Sequence, residues 1–584
     1  MMNRRAFVTG GVLSSAALQA RGQSASLAAH WIAPKGLRNQ QNVFFRARKS
    51  FHLPAVPRSL TLQIAAESRY VLFVNGQVVG EGPARGSHTI NFYDSYEIAP
   101  LLQNGGNWTA ALVICMNVPS FKYAPAQPAL LVQLSDRSVA TDGSWEVQTA
   151  GEWRRDVPLY THQTGFMEWR DMRREPAGWQ MGEDGPAWDR PEIVAPANDV
   201  ASKRLLARDI PQLSVTTHLP RGVPIVASVP AMSKPDDPEV ARRLTEEAHE
   251  QLALPSAVLL TGSGAEPLVI PPQKGGQGVT LIADFERDRI GGFELDITAH
   301  AGTIVDVGYE EQIRDQRLKF AIGSYRLADR FVLRAGRQTV SNAHERGYRY
   351  LQLAFREFRE PVRMRSLRAG DRRYPVVARG AFRCSDASLN SIFDACAATL
   401  STCATDTFID CPWRELSFWV NDLLVENAIF VQVFGDSRLN ARCLRLALSE
   451  RRPDGLIPVC PSNGNDGLVL VATNLFVPLM LDEYWLYTGD RTLVEELVPR
   501  ALEILRTFRG WQDADGLVTP PPQFWNFVDW SYDRRTLDGK TTAVLSFFHV
   551  LALDATARLL RRLGRTEELE ALDAVAGILE EVAR

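Results

Sequence analysis

Asp406-Thr-Phe-Ile-Asp410-Cys-Pro-Trp-Arg-Glu415-Leu-Ser-Phe-Trp419-Val-Asn-Asp422-Leu-Leu-Val-Glu426 lies just beyond the point where the residue pattern of this chain changes. Pro412 disfavours helix in the residue before it, which predicts a turn around Asp410 to Trp413 and a new helix from about Arg414. At about 100° per residue from Glu415, the positions Trp419, Asp422 and Glu426 share one narrow stripe of that helix. The other positions, among them Leu416, Phe418, Val420, Leu423, Val425, Ile429 and Phe430, are apolar almost all round, the mark of a buried helix. Burying a carboxylate costs several kcal/mol unless it is paired, hydrogen-bonded or protonated, so an acidic stripe beside Phe418 and Trp419 calls for a reason. A plain solvated face is the competing reading.

Downstream of Phe382 apolar residues recur at the helical period. Helices are expected at about 386–403, 414–434, 437–451, 468–488, 491–511, 541–563 and 566–583. The last carries no Gly or Pro stop, so an (α/α)6-type barrel made of these helices is expected to be truncated to about half. Upstream the period is two. Ser59 to Ala65, Tyr70 to Val74, Ala110 to Cys115 and Ala129 to Leu134 read as strands, with Asn75-Gly76 as a hairpin turn tolerant of positive φ. Val279 to Ala283, Gly292 to Ala299, Thr303 to Val307 and Arg330 to Arg334 read as a second set.

The expected organisation is therefore a leader at 1–28, an antiparallel β-sandwich at 29–195, a connector with an insertion at 196–275, a second antiparallel sandwich at 276–372 and the partial α/α-barrel at 380–584. At 584 residues the chain is too long for one core, since domains hold about 100–200 residues each.

A formal net charge of -3 with 23% charged residues leaves no basic excess for a nucleic-acid partner. Apart from the leader, no uninterrupted apolar run of about 18 residues predicts a membrane span. Seven cysteines without repeated Cys-x-x-Cys spacing argue against a zinc module, and no metal or cofactor is expected. Six of them, Cys384 to Cys460, read as small buried residues, with one bridge among them left open. Asn3-Arg4-Arg5-Ala6-Phe7-Val8 before the Gly/Ser/Ala-rich run Gly10 to Ala20 resembles a twin-arginine export signal, which points to a periplasmic or secreted protein.

Carboxylates beside a Trp/Phe wall suit sugar chemistry. Ring faces stack on C–H surfaces, acids hold hydroxyls, and one acid protonates the leaving oxygen. Glu415 is the candidate donor. In a first helical turn the helix dipole would favour its charged form, so burial and the charges of Asp410 and Asp422 would have to keep the proton on it. Arg414 is expected to pair with a different carboxylate.

Asp410-Cys-Pro-Trp-Arg-Glu415, with Trp419 and Asp422 downstream, resembles the Asp-Cys-Pro-x-Arg-Glu signature of bacterial α-L-rhamnosidases. Gly380-Ala-Phe-Arg-Cys-Ser-Asp386 is similar to that family's entry into its barrel. Asp284-Phe285, Gly308-Tyr-Glu310 and Gly347-Tyr-Arg-Tyr350 resemble the preceding sandwich, and Tyr70 to Gly76 with Asn91-Phe-Tyr-Asp94 an accessory one. The resemblance implies that Glu415 is the general acid and that Asp410 and Asp422 bind the sugar, with Arg414 and Trp419 lining the same site. It adds Trp525, Asp529 and Trp530 as a loop able to meet substrate, with an ordinary aromatic core turn as the competing reading. Leu416-Ser417 and Asn421 depart from the family pattern. The implied reaction is inverting removal of terminal α-L-rhamnose from an oligosaccharide or rhamnosylated glycoside. Inversion needs a second carboxylate roughly 6.5–9.5 Å from the first, and the family places that base beyond residue 584. Another α/α-barrel glycosidase or phosphorylase is the rival enzyme reading, and a non-catalytic carbohydrate-binding or decayed protein the rival outside catalysis.

Overall fold

The computed structural model describes residues 27–183, 187–197, 203–254, 266–461, 467–528, 543–566 and 568. The chain forms two compact units. A β-rich unit holds Met1–Arg85, Ile90–Tyr374 and Cys411–Leu416, and a helical unit holds Gly86–Thr89, Pro375–Asp410 and Ser417–Arg584.

The first β-sandwich packs a six-stranded sheet on a five-stranded one. The six run in the order Glu192–Pro196, His30–Ala33, Ala129–Leu134, Thr61–Glu67, Ile90–Glu97, Arg204–Ala207. The five run Gln77–Gly82, Arg69–Val74, Gly105–Cys115, Val43–Leu53, Glu146–Thr149. Alternate residues such as Leu62, Ile64, Val43 and Phe45 meet in one core, as the period of two requires. Asn75 and Gly76 both take positive φ, the hairpin geometry that their residue types favour.

The second sandwich has a seven-stranded sheet in the order Trp169–Asp171, Ala328–Val332, Ile304–Glu310, Arg346–Arg356, Gly278–Gly291, Gly222–Val229, Glu250–Gln251. Its partner sheet contains Ser214–His218, Val362–Arg373, Phe293–Ala299 and Gly336–Ser341, with Leu268–Ile270 also paired to Val362–Arg373. The segment 196–275 is thus not a connector. It contributes strands to both sandwiches, and its helix α1 (Val240–Glu246) packs on Ile304–Glu310 and Ala328–Val332. Trp169–Asp171 likewise leaves the expected first domain to pair in parallel with Ala328–Val332. These assignments rest on pairing across long sequence separations, which local patterning does not display.

Two buried aspartates of this sandwich are paired with arginines. Arg330 holds Asp306 through bonds of 2.6 and 2.8 Å, and Arg346 holds Asp329 at 3.0 and 2.8 Å. Arg243 and Arg356 also reach Asp306, at 3.4 and 3.3 Å.

The helical unit comprises α2 (Ala387–Cys403), α3 (Val420–Phe434), α4 (Arg438–Ser449), α5 (Val471–Thr488), α6 (Arg491–Arg509) and α7 (Ala543–Leu563). α3 packs on α5, and α5, α6 and α7 pack on one another. Asp386 caps α2 by accepting from the amides of Ser388 and Leu389, and Gly435 and Gly489 end α3 and α5 in left-handed conformation. The helix expected at 566–583 lies outside the described residues, save 566 and 568. By length and composition α7 could cross a membrane, which the apolar-run reading did not anticipate; more than half of it is buried against its neighbours, as in a core helix. None of the seven cysteines is in a disulfide, and Cys384 and Cys396 are exposed rather than buried.

Because Asp306 is fully buried among three guanidinium groups, Asp306→Ala should destabilise the protein by about 3–5 kcal/mol. Urea denaturation checks this. A loss below about 1 kcal/mol would mean that the arginines relax to solvent.

Candidate active site

The residues singled out from the sequence fall into one group in each unit. In the β-rich unit lies the turn Cys411–Leu416. The chain turns through Pro412 to Glu415, the amide of Leu416 donates to the Cys411 carbonyl at 3.3 Å, and Leu416 takes φ of 53°. Left-handed backbone is unfavourable for a side chain of this size, so the turn needs outside support. α3 therefore begins at Val420, capped by Trp419, and not near Arg414. Glu415 is not on the helix, and the expected stripe shortens to Asp422 and Glu426. Asp422 occupies the first helical turn, where the dipole favours negative charge.

Four contacts seat the turn. Trp413 Nε1 donates to the Tyr309 carbonyl at 3.2 Å, and Thr161 Oγ1 to the Arg414 carbonyl at 3.0 Å. Buried Arg85 donates through a terminal nitrogen to the Leu416 carbonyl at 3.2 Å. The Pro412 carbonyl rests on the α-carbon of Gly347, where a Cβ would overlap it. Arg414 pairs with Glu415 itself at 3.1 Å, correcting the expectation of a different partner. The Glu415 side chain is 12% exposed and that of Arg414 39%.

Glu311, which the sequence reading did not single out, feels the Arg414 charge. Burial raises its pKa to about 7, Asp288 and Glu310 add to the rise, and Arg414 opposes it. Burial likewise pushes Glu310 up to about 7 against the amides of Glu311 and Gln312, which it accepts at 2.9 and 3.4 Å. The doubled acid Glu310-Glu311 at the end of a buried strand is the signal that could have marked them.

The helical unit carries Asp410, Trp419, Asp422, Glu426 and Trp525. Asp410 closes the neck of the turn, its amide donating to the Ser417 carbonyl at 3.0 Å and its Oδ1 accepting from the Ser417 amide at 3.1 Å. Glu426 was placed on the stripe but given no role. Its carboxyl is held well above the usual range by burial and by the charges of Asp422 and Asp410, and its Oε2 has no hydrogen-bond partner among the described residues. Glu426 lies one helical turn beyond Asp422. Trp419 and Trp525 meet in one apolar cluster with Val459, Cys460, Leu470 and Phe527. Backbone bonds fix it: the Val420 amide donates to Val459, that of Val459 to Leu468, and that of Val471 to Trp525. Asn421 accepts from Thr473 Oγ1 at 3.0 Å. Asp529 and Trp530 lie outside the described residues.

Against this geometry, residues 378–582 match the family profile described as bacterial alpha-L-rhamnosidase 6 hairpin glycosidase domain. This region belongs to the bacterial α-L-rhamnosidase six-hairpin family. The rhamnosidase-type region thus contains both groups of candidate residues, together with the turn at Glu415. The GH78 family rhamnosidase of Bacillus sp. GL1 is similar in fold, with a TM-score of 0.89 at 23% identity over 96% of this chain and 77% of that one. An α-L-rhamnosidase from Dictyoglumus thermophilum matches with a TM-score of 0.69 at 14% identity over 95% of this chain and 59% of that one. A Streptomyces avermitilis α-L-rhamnosidase complexed with L-rhamnose matches with a TM-score of 0.64 at 18% identity over 92% of this chain and 48% of that one. No curated protein sequence matches the chain. The β-rich region followed by helices is the fold of these rhamnosidases, with fewer helices among the described residues than a full barrel holds.

Between about pH 4.5 and 7 the folded protein keeps protons on Glu310 and Glu311 that the unfolded chain releases, so their contribution to stability falls as pH rises through that window. Calorimetric melting from pH 5 to pH 8 should show a smaller fall for Glu311→Gln than for the wild type. Equal slopes would remove Glu311 from the titrating set.

Proposed function

We propose that the protein is an α-L-rhamnosidase that hydrolyses terminal α-L-rhamnosides by single displacement with inversion, Glu415 donating the proton. The observation that carries this reading is a largely buried carboxyl on a turn anchored at four points, inside a rhamnosidase-type six-hairpin region. Anchoring suits a general acid, which must hold its proton within hydrogen-bond reach of the leaving oxygen. Arg414 at 3.1 Å favours the carboxylate that remains after transfer.

Asp410 and Asp422 are the proposed hydroxyl acceptors, and Trp419 and Trp525 the apolar surface for the sugar's C–H face. Asp529 and Trp530 are proposed for the same wall. No carboxylate of the described helical unit is assigned as the base that activates water. The substrates proposed are rhamnose-terminated glycans or glycosides, supported by the neighbours described as rhamnosidases and by the one complexed with L-rhamnose. Export to the periplasm or medium is proposed from Arg4-Arg5 and the run after them.

The test is release of p-nitrophenol from the p-nitrophenyl α-L-rhamnoside by the full-length protein. Glu415→Gln should lower kcat by about 100-fold or more. Cleavage of other aryl glycosides but not this one would sink the rhamnose assignment and leave a glycosidase. Silence on all of them would favour a carbohydrate-binding protein.

A further inference from the structure

We propose that Gly347, Thr161 and Arg85, all in the β-rich unit, are positioning residues for the general acid: the sandwich, not the barrel helix, sets where Glu415 points. This rests on the rhamnosidase reading and adds to it the elements that aim the acid.

The turn cannot hold itself. It lies outside regular helix, Pro412 has no amide hydrogen to donate, and Leu416 is left-handed. Its carbonyls are met instead at every second residue: that of Pro412 by the bare α-carbon of Gly347, that of Arg414 by Thr161, and that of Leu416 by Arg85. Glu415 sits between the last two anchors. With both flanking peptide groups fixed, side-chain torsions are the main freedom left to its carboxyl.

The supports are stiffer than what they hold. Gly347 lies in Arg346–Arg356, paired on one side to Gly278–Gly291 and on the other to Ile304–Glu310. Neighbouring Arg346 is locked to Asp329 and over the face of Tyr160, 3.8 Å from the ring centroid. Thr161 is fully buried, and its oxygen accepts from the Thr164 amide at 3.0 Å and lies 2.8 Å from the Thr164 hydroxyl, which fixes the side chain that reaches the Arg414 carbonyl. A methyl group on Gly347 would overlap the Pro412 carbonyl and stand 2.9 Å from the Trp413 nitrogen. Of the two sides, the turn is the one free to give way. An ångström of misplacement is enough to cost about 100-fold in rate.

The experiment compares Gly347→Ala, Thr161→Val, Thr161→Ser and Arg85→Lys with the wild-type full-length protein. It measures kcat and KM on the aryl α-L-rhamnoside, L-rhamnose affinity by calorimetry, and the unfolding midpoint. Gly347→Ala and Thr161→Val should lower kcat by about 10- to 100-fold with rhamnose affinity and unfolding midpoint near wild type, and Thr161→Ser should restore it. Arg85→Lys, which keeps the charge and shortens the reach, should fall between. Should Gly347→Ala not fold, the Thr161 pair decides alone. Wild-type kcat in Thr161→Val, or loss of rhamnose affinity in step with kcat, overturns the positioning role. A wild type inert on the rhamnoside overturns the underlying reading instead.

Discussion

Where the Pro412 carbonyl lies against Gly347, a strand and a turn approach more closely than any side chain would permit, and much of the candidate active site follows from that contact. The polypeptide interrupts its helical unit for the six residues Cys411–Leu416 and lays them on the β-rich one. To return, it takes Leu416 through a left-handed conformation and closes Asp410 on Ser417. The barrel helix can begin only at Val420. That delay puts Asp422 in the first helical turn and Glu426 in the second, and leaves Glu415 on a surface whose shape the sandwich dictates. A helix starting at Arg414 would have put all three acids on one rigid rod. The observed arrangement separates Glu415 from Asp422 and Glu426 in secondary structure while keeping them close in sequence.

Buried charge is treated in two ways. Asp306 and Asp329 are enclosed by guanidinium groups with good geometry and tie distant strands together. Glu310, Glu311 and Glu426 are buried beside other carboxylates, and each is pushed toward its neutral form. Glu310 and Glu311 stand at the end of the strand Ile304–Glu310, whose Tyr309 carbonyl accepts from Trp413 of the turn, and Glu426 stands on α3.

Much of this was legible in the sequence because it was local. Alternation marked Ala129–Leu134 and Tyr70 to Val74, and Asn75-Gly76 marked the hairpin turn that leads from Arg69–Val74 into Gln77–Gly82. What was misread depended on distant partners. Arg204–Ala207 becomes a strand by pairing in parallel with Ile90–Glu97, and Leu268–Ile270 by pairing with Val362–Arg373; neither partner is visible from within the segment 196–275. The helix start was misread for a similar reason. Pro412 restricts only the residue before it, and nothing about Leu416 as a leucine announces a left-handed turn held by Arg85, more than 300 residues away. The candidate residues were picked out by chemistry and spacing. Their orientation was not, because the sandwich supplies it.

The most direct measurement is a crystal structure of the protein with L-rhamnose bound. The expected result is a Glu415 carboxyl oxygen within about 3 Å of the anomeric hydroxyl, Asp410 or Asp422 on ring hydroxyls, and the Pro412 carbonyl still on Gly347. Rhamnose bound away from Glu415, or the turn lifted from Gly347 with the acid engaged, would contradict the assignment of the donor and of the surface that aims it.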